Sequence, residues 1–278
     1  MTFLLFWVIL AGAWAPASHG CPCGGPPASH AHSSSPAPAT SPSGGGGTTT
    51  SYALAGDAEF AGLRYAAAVE RYDSACATGP DSAQYLWRLA RLHVCIGDIT
   101  PREGKEQEYR AAAGYAERCI RADSTIAAGH TWKAAALGNI AMFEGSKGKV
   151  RLCNEIKSEL DRALALDTLD DIAWSIRGSF YRALGKVSWI ERQLAAVFLG
   201  SLPDGGLADA EAALHRATSI APGVIRHWYE LAMVYHDEGK NAEAIEAFGV
   251  VTRLPSLVGS DDRVRSRARD WIENLKNE

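Results

Sequence analysis

The chain contains the residue types that carry catalysis, but their spacing does not form a catalytic motif. None of the eight histidines belongs to an H-E-x-x-H pair, and no G-x-S-x-G nucleophile turn occurs. The Gly145 to Arg151 segment holds glycines and lysines without the G-x-x-x-x-G-K-[ST] spacing of a nucleotide loop. We therefore predict a protein that is not an enzyme and needs no cofactor or metal.

Two Cys and His pairs near the N-terminus have the composition of a metal site. They lie in a stretch of Pro, Ser, Gly and Ala that supplies no core-forming residue. Because such a stretch holds no fixed ligand geometry, we predict no metal there. The four residues are Cys21, Cys23, His30 and His32.

A second set of cysteines lies in helical patterns, where cysteine acts as a small apolar filler. Export would permit disulfides, and four cysteines allow three full pairings that the sequence leaves open. These residues are Cys76, Cys95, Cys119 and Cys153.

The N-terminal region differs sharply in composition from the rest of the chain. Residues 1–50 contain no Asp, Glu, Lys or Arg, and residues 3–13 are an apolar run shorter than the roughly 20 residues of a membrane-spanning helix. We interpret residues 1–20 as a signal peptide or lipoprotein signal. The protein is then exported, and is periplasmic or membrane-tethered outside the cytoplasm.

Cys21 is the candidate lipidation site. It follows Gly20, as in the lipobox of bacterial lipoproteins, although Ser18 and His19 fit that pattern poorly. Lipidation, which would tether the protein to a membrane, and simple secretion both remain open. We interpret residues 21–50 as a disordered Pro/Ser/Gly linker and residues 51–278 as one repeat domain.

A repeated pattern organises the rest of the chain, and its clearest copy runs from Ile225 to Pro255. Aromatic, small and glycine residues follow in the order of a tetratricopeptide unit, a helical hairpin with a period of about 34 residues. These are Trp228, Leu231, Ala232, Tyr235, Gly239, Ala244 and Phe248. Gly239 is predicted to end the first helix of this unit.

Four further copies precede it, and two of them are interrupted. Extra residues follow Ile99, where we expect a loop, and a segment from Val187 to Gly206 separates the two helices of the fourth copy. Asp261 to Leu275 is predicted to be a charged capping helix. The fold class is all-α: a right-handed superhelix of about five tetratricopeptide-like helix pairs with an inserted helix and a C-terminal capping helix.

Three segments are more specific than the repeat itself. EGSKGKVRL begins at Glu144, DRALALD at Asp161 and VSWIERQLAAVFLGSLP at Val187. In this order they resemble the regulator of microtubule dynamics family, of which this chain would be an exported, bacterial-type member. The resemblance covers about Tyr65 to Pro255.

The resemblance implies a tetratricopeptide-like superhelix without catalytic residues. Eukaryotic members of the family are linked to microtubules and organelle contacts, and one has a repeat domain that binds phospholipid. Export argues against tubulin as a partner of this chain, because tubulin is cytosolic. Gln193 stands where the family has lysine after the SWIER segment.

The concave face of such a superhelix is the candidate partner groove. We predict that it binds a protein or peptide, with phospholipid or another amphipathic ligand as the alternative, because its cations, aromatics and Met suit an acidic or amphipathic partner. Several of these side chains are equally compatible with ordinary packing. The predicted groove residues on the first helices are Trp87, Arg91, Asn139, Arg182, Arg226, Tyr229, Met233 and His236.

Two further segments complete the candidate groove. Lys147, Lys149 and Arg151 form either a solvated helix start or an anion or headgroup contact at a helix N-terminus. The inserted helix carries an apolar stripe that includes Trp189 and Phe198. That stripe is predicted to pack over or inside the superhelix, or else to line a cavity for an apolar ligand.

Charge argues against nucleic acid as a partner. The formal net charge is -4 at pH 7. The four arginines between Arg263 and Arg269 alternate with small or apolar residues and lie beside Asp261, Asp262 and Asp270. We interpret them as a solvated face of the capping helix.

Overall fold

The computed structural model describes residues 49–78 and 82–277, which form twelve α-helices and, within those ranges, no strand. The predictions for the signal segment, Cys21, the linker up to residue 48 and the Cys21, Cys23, His30 and His32 set lie outside the described residues. The helices are α1 Thr49–Ala61, α2 Tyr65–Thr78, α3 Ala83–Ile99, α4 Arg102–Ala122, α5 Ala127–Ile140, α6 Ser146–Leu166, α7 Asp171–Gly185, α8 Trp189–Phe198, α9 Leu207–Ile220, α10 Ile225–Asp237, α11 Asn241–Arg253 and α12 Asp261–Lys276.

The helices pack as five pairs with one insertion and one cap. α1 packs on α2, α3 on α4, α5 on α6, α10 on α11, and α7 on α9 across the inserted α8. This confirms the predicted all-α array of tetratricopeptide-like pairs. The expected loop after Ile99 is wrong: α4 begins at Arg102, so most of the extra residues lengthen that helix at its N-terminus.

Glycine allows the two helices of a pair to approach closely. A Cβ on Gly97 of α3 would lie 2.5 Å from the ring of Tyr109 in α4, and a Cβ on Gly56 of α1 would lie equally close to the ring of Tyr72 in α2. Van der Waals contact between carbons requires about 3.5–4.0 Å. The aromatic ring of the second helix therefore occupies the space that a side chain on the first would need.

Gly239 ends α10 as predicted. Its φ of 75° lies in the left-handed region, where glycine carries no Cβ penalty. The Lys240 amide donates to the Tyr235 carbonyl at 2.8 Å and the Gly239 amide to the His236 carbonyl at 3.0 Å. These two bonds form a Schellman motif, which satisfies the last carbonyls of the helix.

The chain after α11 returns to the first repeats. We name residues 254–263 the closing segment. Within it the Gly259 amide donates to Tyr65 Oη at 2.7 Å, Val258 packs against the apolar cluster of α2 and α3, and Arg263 donates to the backbone carbonyl of Asp98. The two ends of the array therefore touch each other, which the prediction of a solvated cap did not include.

Within residues 49–78 and 82–277, no helix combines the length and apolar character that a bilayer crossing requires.

Candidate ligand cavity inside the superhelix

A cavity of about 440 Å³ lies inside the superhelix, between the first helices of the pairs. We name it the inner cavity. Its walls come from α3, α5 and α7, with the start of α10 and part of the closing segment on the remaining side. Large apolar side chains that line it include Trp87, Val94, Trp132, Met142, Ile176 and Phe180.

Small residues on α5 create the space. The face of α5 toward the cavity carries alanine and glycine where larger side chains would fill the groove, namely Ala128, Ala134, Ala135, Gly138 and Ala141. They recur at helical spacing, so they share one side of the helix. The sequence of α5, the first helix of the third pair, therefore creates the cavity.

One side of the cavity carries Arg91 of α3. Arg91 Nη2 lies 3.3 Å from Asp57 Oδ1, and its guanidinium lies 3.8 Å from the ring centre of Phe60. Burial favours the protonated form of Asp57, but hydrogen bonds from Tyr72 and Arg88 and the charges of Arg88 and Arg91 outweigh it and lower the pKa of that carboxyl. The arginine is thus held in place by a carboxylate and an aromatic face.

Arg226 of α10 is the second cation on the cavity wall. Its Nη2 lies 3.2 Å from Asp98 Oδ2, and Tyr109 Oη donates to the other Asp98 oxygen at 3.0 Å. Burial and the neighbouring Asp98 raise the pKa of Tyr109, so this hydroxyl stays protonated and remains a donor. Arg91 and Asp98 lie on one side of α3 and both line the cavity, and Arg226 bonds Asp98, so the two arginines face the same part of the cavity.

The α5 and α7 walls supply neutral and acidic polar groups. Asn139 is fully buried, with Nδ2 donating to the Ala135 carbonyl at 3.1 Å, and its Oδ1 has no hydrogen-bond partner among the described residues. Asp170 caps α7 through the Ala173 amide at 2.9 Å and accepts from Thr131 Oγ1 at 2.5 Å. Burial raises the pKa of Asp170, although these bonds oppose the shift.

The cysteines of the cavity are inert thiols. Burial raises the pKa of Cys95 to about 12 and that of Cys153 to about 11, so neither forms the nucleophilic thiolate at neutral pH. Cys95, Cys119 and Cys153 are buried as free thiols. In the part of the chain that the structure describes, no three His, Cys, Asp or Glu side chains come together as a metal site.

Four of the predicted groove residues line the inner cavity: Trp87, Arg91, Asn139 and Arg226. All four lie on the first helices of their pairs, as the repeat register predicts; whether they bind a partner stays a prediction. Neighbours on the same helical faces, such as Trp132 and Asp98, were missed. Trp132 lies at helical spacing from Asn139, and Asp98 lies at helical spacing from Arg91, so this spacing could have identified both residues.

The structure does not bring the other predicted groove residues of α7 and α10, namely Arg182, Tyr229, Met233 and His236, to the cavity. Arg182 is buried, 2.5 Å from Asp237 Oδ2 and 3.8 Å from Glu230 Oε2. α12 packs on α10, where the Trp271 ring lies 4.6 Å from His236. Tyr229 and Met233 belong to the same C-terminal apolar cluster. The capping helix therefore covers the inner face of the fifth pair.

The remaining predicted residues do not line the inner cavity. Lys147 and Lys149 are in the first turn of α6. Trp189 and Phe198 of α8 are 73% and 75% exposed, so the prediction that the α8 stripe is buried or lines a cavity is wrong. The reason is that Arg192 and Ala195 face the protein instead.

Comparison with known proteins agrees with this architecture. The family model described as Regulator of microtubule dynamics protein 1-3 matches residues 57–276. The chain belongs to the regulator of microtubule dynamics family. That match covers every helix from the end of α1 onward.

Similar individual members come from mammals. Regulator of microtubule dynamics protein 2 of Homo sapiens is 24% identical over 198 residues, which is 70% of this chain and 48% of that protein. Protein 3 of Rattus norvegicus is 25% identical, covering 64% of this chain and 38% of that one. This chain thus spans less than half the length of these curated relatives.

Solved structures show the same fold. A thermophilic TPR protein of Thermus thermophilus superposes with a TM-score of 0.59 at 18% identity, over 81% of this chain and 99% of that one. Yeast Tom70 superposes with a TM-score of 0.52 at 14% identity, over 82% of this chain and 40% of that one. At these identities the likeness concerns the fold alone.

Proposed function

We propose that this protein is a non-catalytic carrier or sensor that holds an amphipathic small ligand, of the phospholipid class, in the inner cavity. The observation that carries the proposal is the cavity itself, whose volume of about 440 Å³ falls within the roughly 300–1,000 Å³ of small-molecule sites. The walls are mainly aromatic and aliphatic, which suits an apolar chain.

The distribution of charge gives the ligand an orientation. Arg91 and Arg226 line the same part of the cavity wall, and we infer that an anionic head group binds there, where it competes with Asp98 for Arg226. Further along α5, the Asn139 side-chain oxygen has no partner among the described residues, and a polar group of the ligand would satisfy it. An apolar chain then lies against Trp132, Ile176 and Phe180.

A peptide is the second candidate occupant. Trp87 and Arg91 combine an aromatic face with a cation at the cavity wall, which suits an acidic peptide segment. The closing segment contributes Leu257 and Val258 to the cavity wall, and an extended peptide passing along the groove must displace them. The small ligand is favoured because it needs no such displacement.

We further propose that the protein acts outside the cytoplasm, either periplasmic or tethered through Cys21. The support is the sequence alone: the apolar run of residues 3–13 and the cysteine that follows Gly20. A Cys21→Ser variant should lose membrane fractionation if the tether is a lipid on this residue. Continued fractionation of that variant with membranes contradicts the tether.

Native mass spectrometry of the full chain, purified without detergent, tests the ligand. We expect a bound mass in the lipid range that disappears after extraction with organic solvent. Ala135→Phe, which fills the cavity, should prevent its retention, whereas Ala242→Phe on the exposed side of α11 should not. Retention by both variants contradicts binding in this cavity. If the protein carries no bound mass but binds acidic peptides in solution, a peptide is favoured as the occupant.

A further inference from the structure

α8 presents an apolar stripe to solvent. Trp189, Ile190, Val197 and Phe198 are 73%, 63%, 73% and 75% exposed, and Leu194 is also exposed. Residues 190, 194, 197 and 198 share one side of the helix. An exposed apolar patch of neighbouring side chains is typical of a site that binds a protein or a membrane.

The orientation of α8 is fixed by polar contacts on its opposite side. Arg192 donates to the carbonyls of Leu184, Pro203 and Gly205 at 2.8, 3.0 and 3.1 Å, respectively. Ser188 and Glu191 form a capping box at its N-terminus. The helix is therefore anchored by its polar side, and the apolar stripe is held outward.

A basic surface adjoins the C-terminal end of this stripe. A Cβ on Gly200 would lie 3.5 Å from Val150 Cγ1 of α6, and Asn154 Nδ2 donates to the Ser201 carbonyl at 3.0 Å. The segment that follows α8 thus packs on the first turns of α6. Lys147 and Arg151, four residues apart on α6, are both exposed. Neither forms an ion pair with a described residue.

We propose that the α8 stripe, together with Lys147 and Arg151, docks this protein on a membrane surface that carries anionic headgroups. The apolar side chains enter the boundary between headgroups and acyl chains, as in interfacial amphipathic helices. The two cations meet the negative surface potential of the lipid. This surface lies outside the inner cavity, so the proposal does not depend on the proposed ligand.

Charge and side-chain type favour a bilayer over a second protein as the occupant. Trp189 stands at the N-terminal end of α8, and aromatic side chains of this kind are enriched at membrane interfaces. The acidic group of α8, Glu191, is engaged in the capping box. Lys147 and Arg151 add two positive charges beside the stripe, which matches an anionic lipid surface.

Vesicle flotation and hydrogen exchange of the full chain test the proposal. Vesicles of phosphatidylcholine alone are compared with vesicles that also contain phosphatidylglycerol. We expect binding to the anionic vesicles that weakens with added salt, with amide exchange slowed in α8 and in the first turn of α6. Residues 3–13 are apolar and also partition into lipid, so localised exchange and differences between variants are the readout.

Matched variants separate the stripe and the cations from the rest of the surface. Phe198→Asp should lower the vesicle partition coefficient about tenfold or more, whereas Leu169→Asp, at an apolar residue 61% exposed elsewhere, should leave it unchanged. Arg151→Glu should lower it about tenfold. Arg162→Glu, about 16 Å further along the same side of α6, should have little effect.

Three results overturn the proposal. The first is unchanged exchange in α8 while vesicles are bound. The second is equal binding by Phe198→Asp and the parent protein, with unchanged thermal unfolding showing that both are folded. The third is a dimer, detected by sedimentation velocity, that becomes a monomer in the Phe198→Asp variant while lipid binding is unaffected. In that case the stripe is an interface between two copies of the chain.

Discussion

Arg226 Nη2 lies 3.2 Å from Asp98 Oδ2, although the two residues are 128 positions apart in the chain. Asp98 lies at the end of the first helix of the second pair, and Arg226 lies at the start of the first helix of the fifth. The same aspartate accepts a bond from Arg263 at its backbone carbonyl. One residue of α3 thus holds both the fifth pair and the closing segment, and thereby encloses the inner cavity.

Asp98→Ala should destabilise the whole domain. It removes the carboxylate that binds the partly buried Arg226 and the buried Tyr109 hydroxyl, which costs about 2–4 kcal/mol. Urea unfolding followed by circular dichroism measures the loss. Asp262→Ala is the control: its side chain is 82% exposed, so solvent screens its ion pair with Arg265 and its loss should have little effect. Equal effects of the two variants contradict the importance of the Asp98 contacts.

Asn139→Leu should stabilise the ligand-free protein by about 1 kcal/mol, because it removes a buried carbonyl oxygen with no partner among the described residues. The same variant should weaken retention of a ligand that uses this oxygen. Thermal unfolding and native mass spectrometry give the two readouts. Asn154→Leu, which removes donors bound to the Val150 and Ser201 carbonyls, should lower stability instead. A destabilised Asn139→Leu protein would show that the amide is satisfied.

Asp57→Asn should destabilise the protein in a pH-dependent way. The pKa of Asp57 is lowered below 3.8 in the folded state, so the unfolded chain binds its proton first as the pH falls. The ionised carboxylate therefore stabilises the fold at neutral pH, by about 1 kcal/mol for a partly exposed group. This contribution disappears as the pH drops below 3.8 and through the folded pKa.

Urea midpoints of the parent and Asp57→Asn proteins between about pH 7 and pH 3 check this, because that range reaches below the ordinary pKa of aspartate. The difference between the two midpoints should shrink toward the acidic end. Asp73→Asn, at an exposed residue of α2, should follow the parent curve throughout. A constant difference between the parent and Asp57→Asn at all pH values would mean that the charge of Asp57 is not the source of its effect.

Gly97→Ala and Gly114→Ala should shift stability in opposite directions. A methyl group on Gly97 meets the Tyr109 ring, and such overpacking costs about 1–3 kcal/mol, which exceeds the helix propensity gained. Nothing lies within 4 Å of a Cβ on Gly114, so the same change there should stabilise α4 by about 0.5–1 kcal/mol. Guanidinium unfolding of both variants measures the shifts; stabilisation by Gly97→Ala refutes the close packing.

Local patterns predicted the helix pairs because each pair is a local structure. Trp228, Tyr235 and Gly239 recur at fixed spacing, and the Schellman motif at Gly239 follows from residues within one turn of it. The same register placed Arg91 and Asn139 on the inner wall. For such residues, position along the repeat determines which side of the superhelix they face.

Contacts between distant segments could not be predicted in this way. The bond from Gly259 to Tyr65 joins residues 194 positions apart, and no local pattern signals that the closing segment returns there. The spacing of apolar residues in α8 predicted an apolar stripe, but this spacing does not show which side of the helix packs on the protein. Arg192 determines the packed side, because its bonds to three carbonyls orient α8 with the stripe outward.

The contact between the first and last repeats changes how the array loses its structure. An open solenoid unfolds from its ends, because each terminal repeat has one neighbour only and frays first. Here Tyr65 of the first pair and Gly259 beyond the fifth pair support each other. Each terminal repeat thereby gains a second neighbour, and we expect the repeats to unfold together as a single cooperative unit.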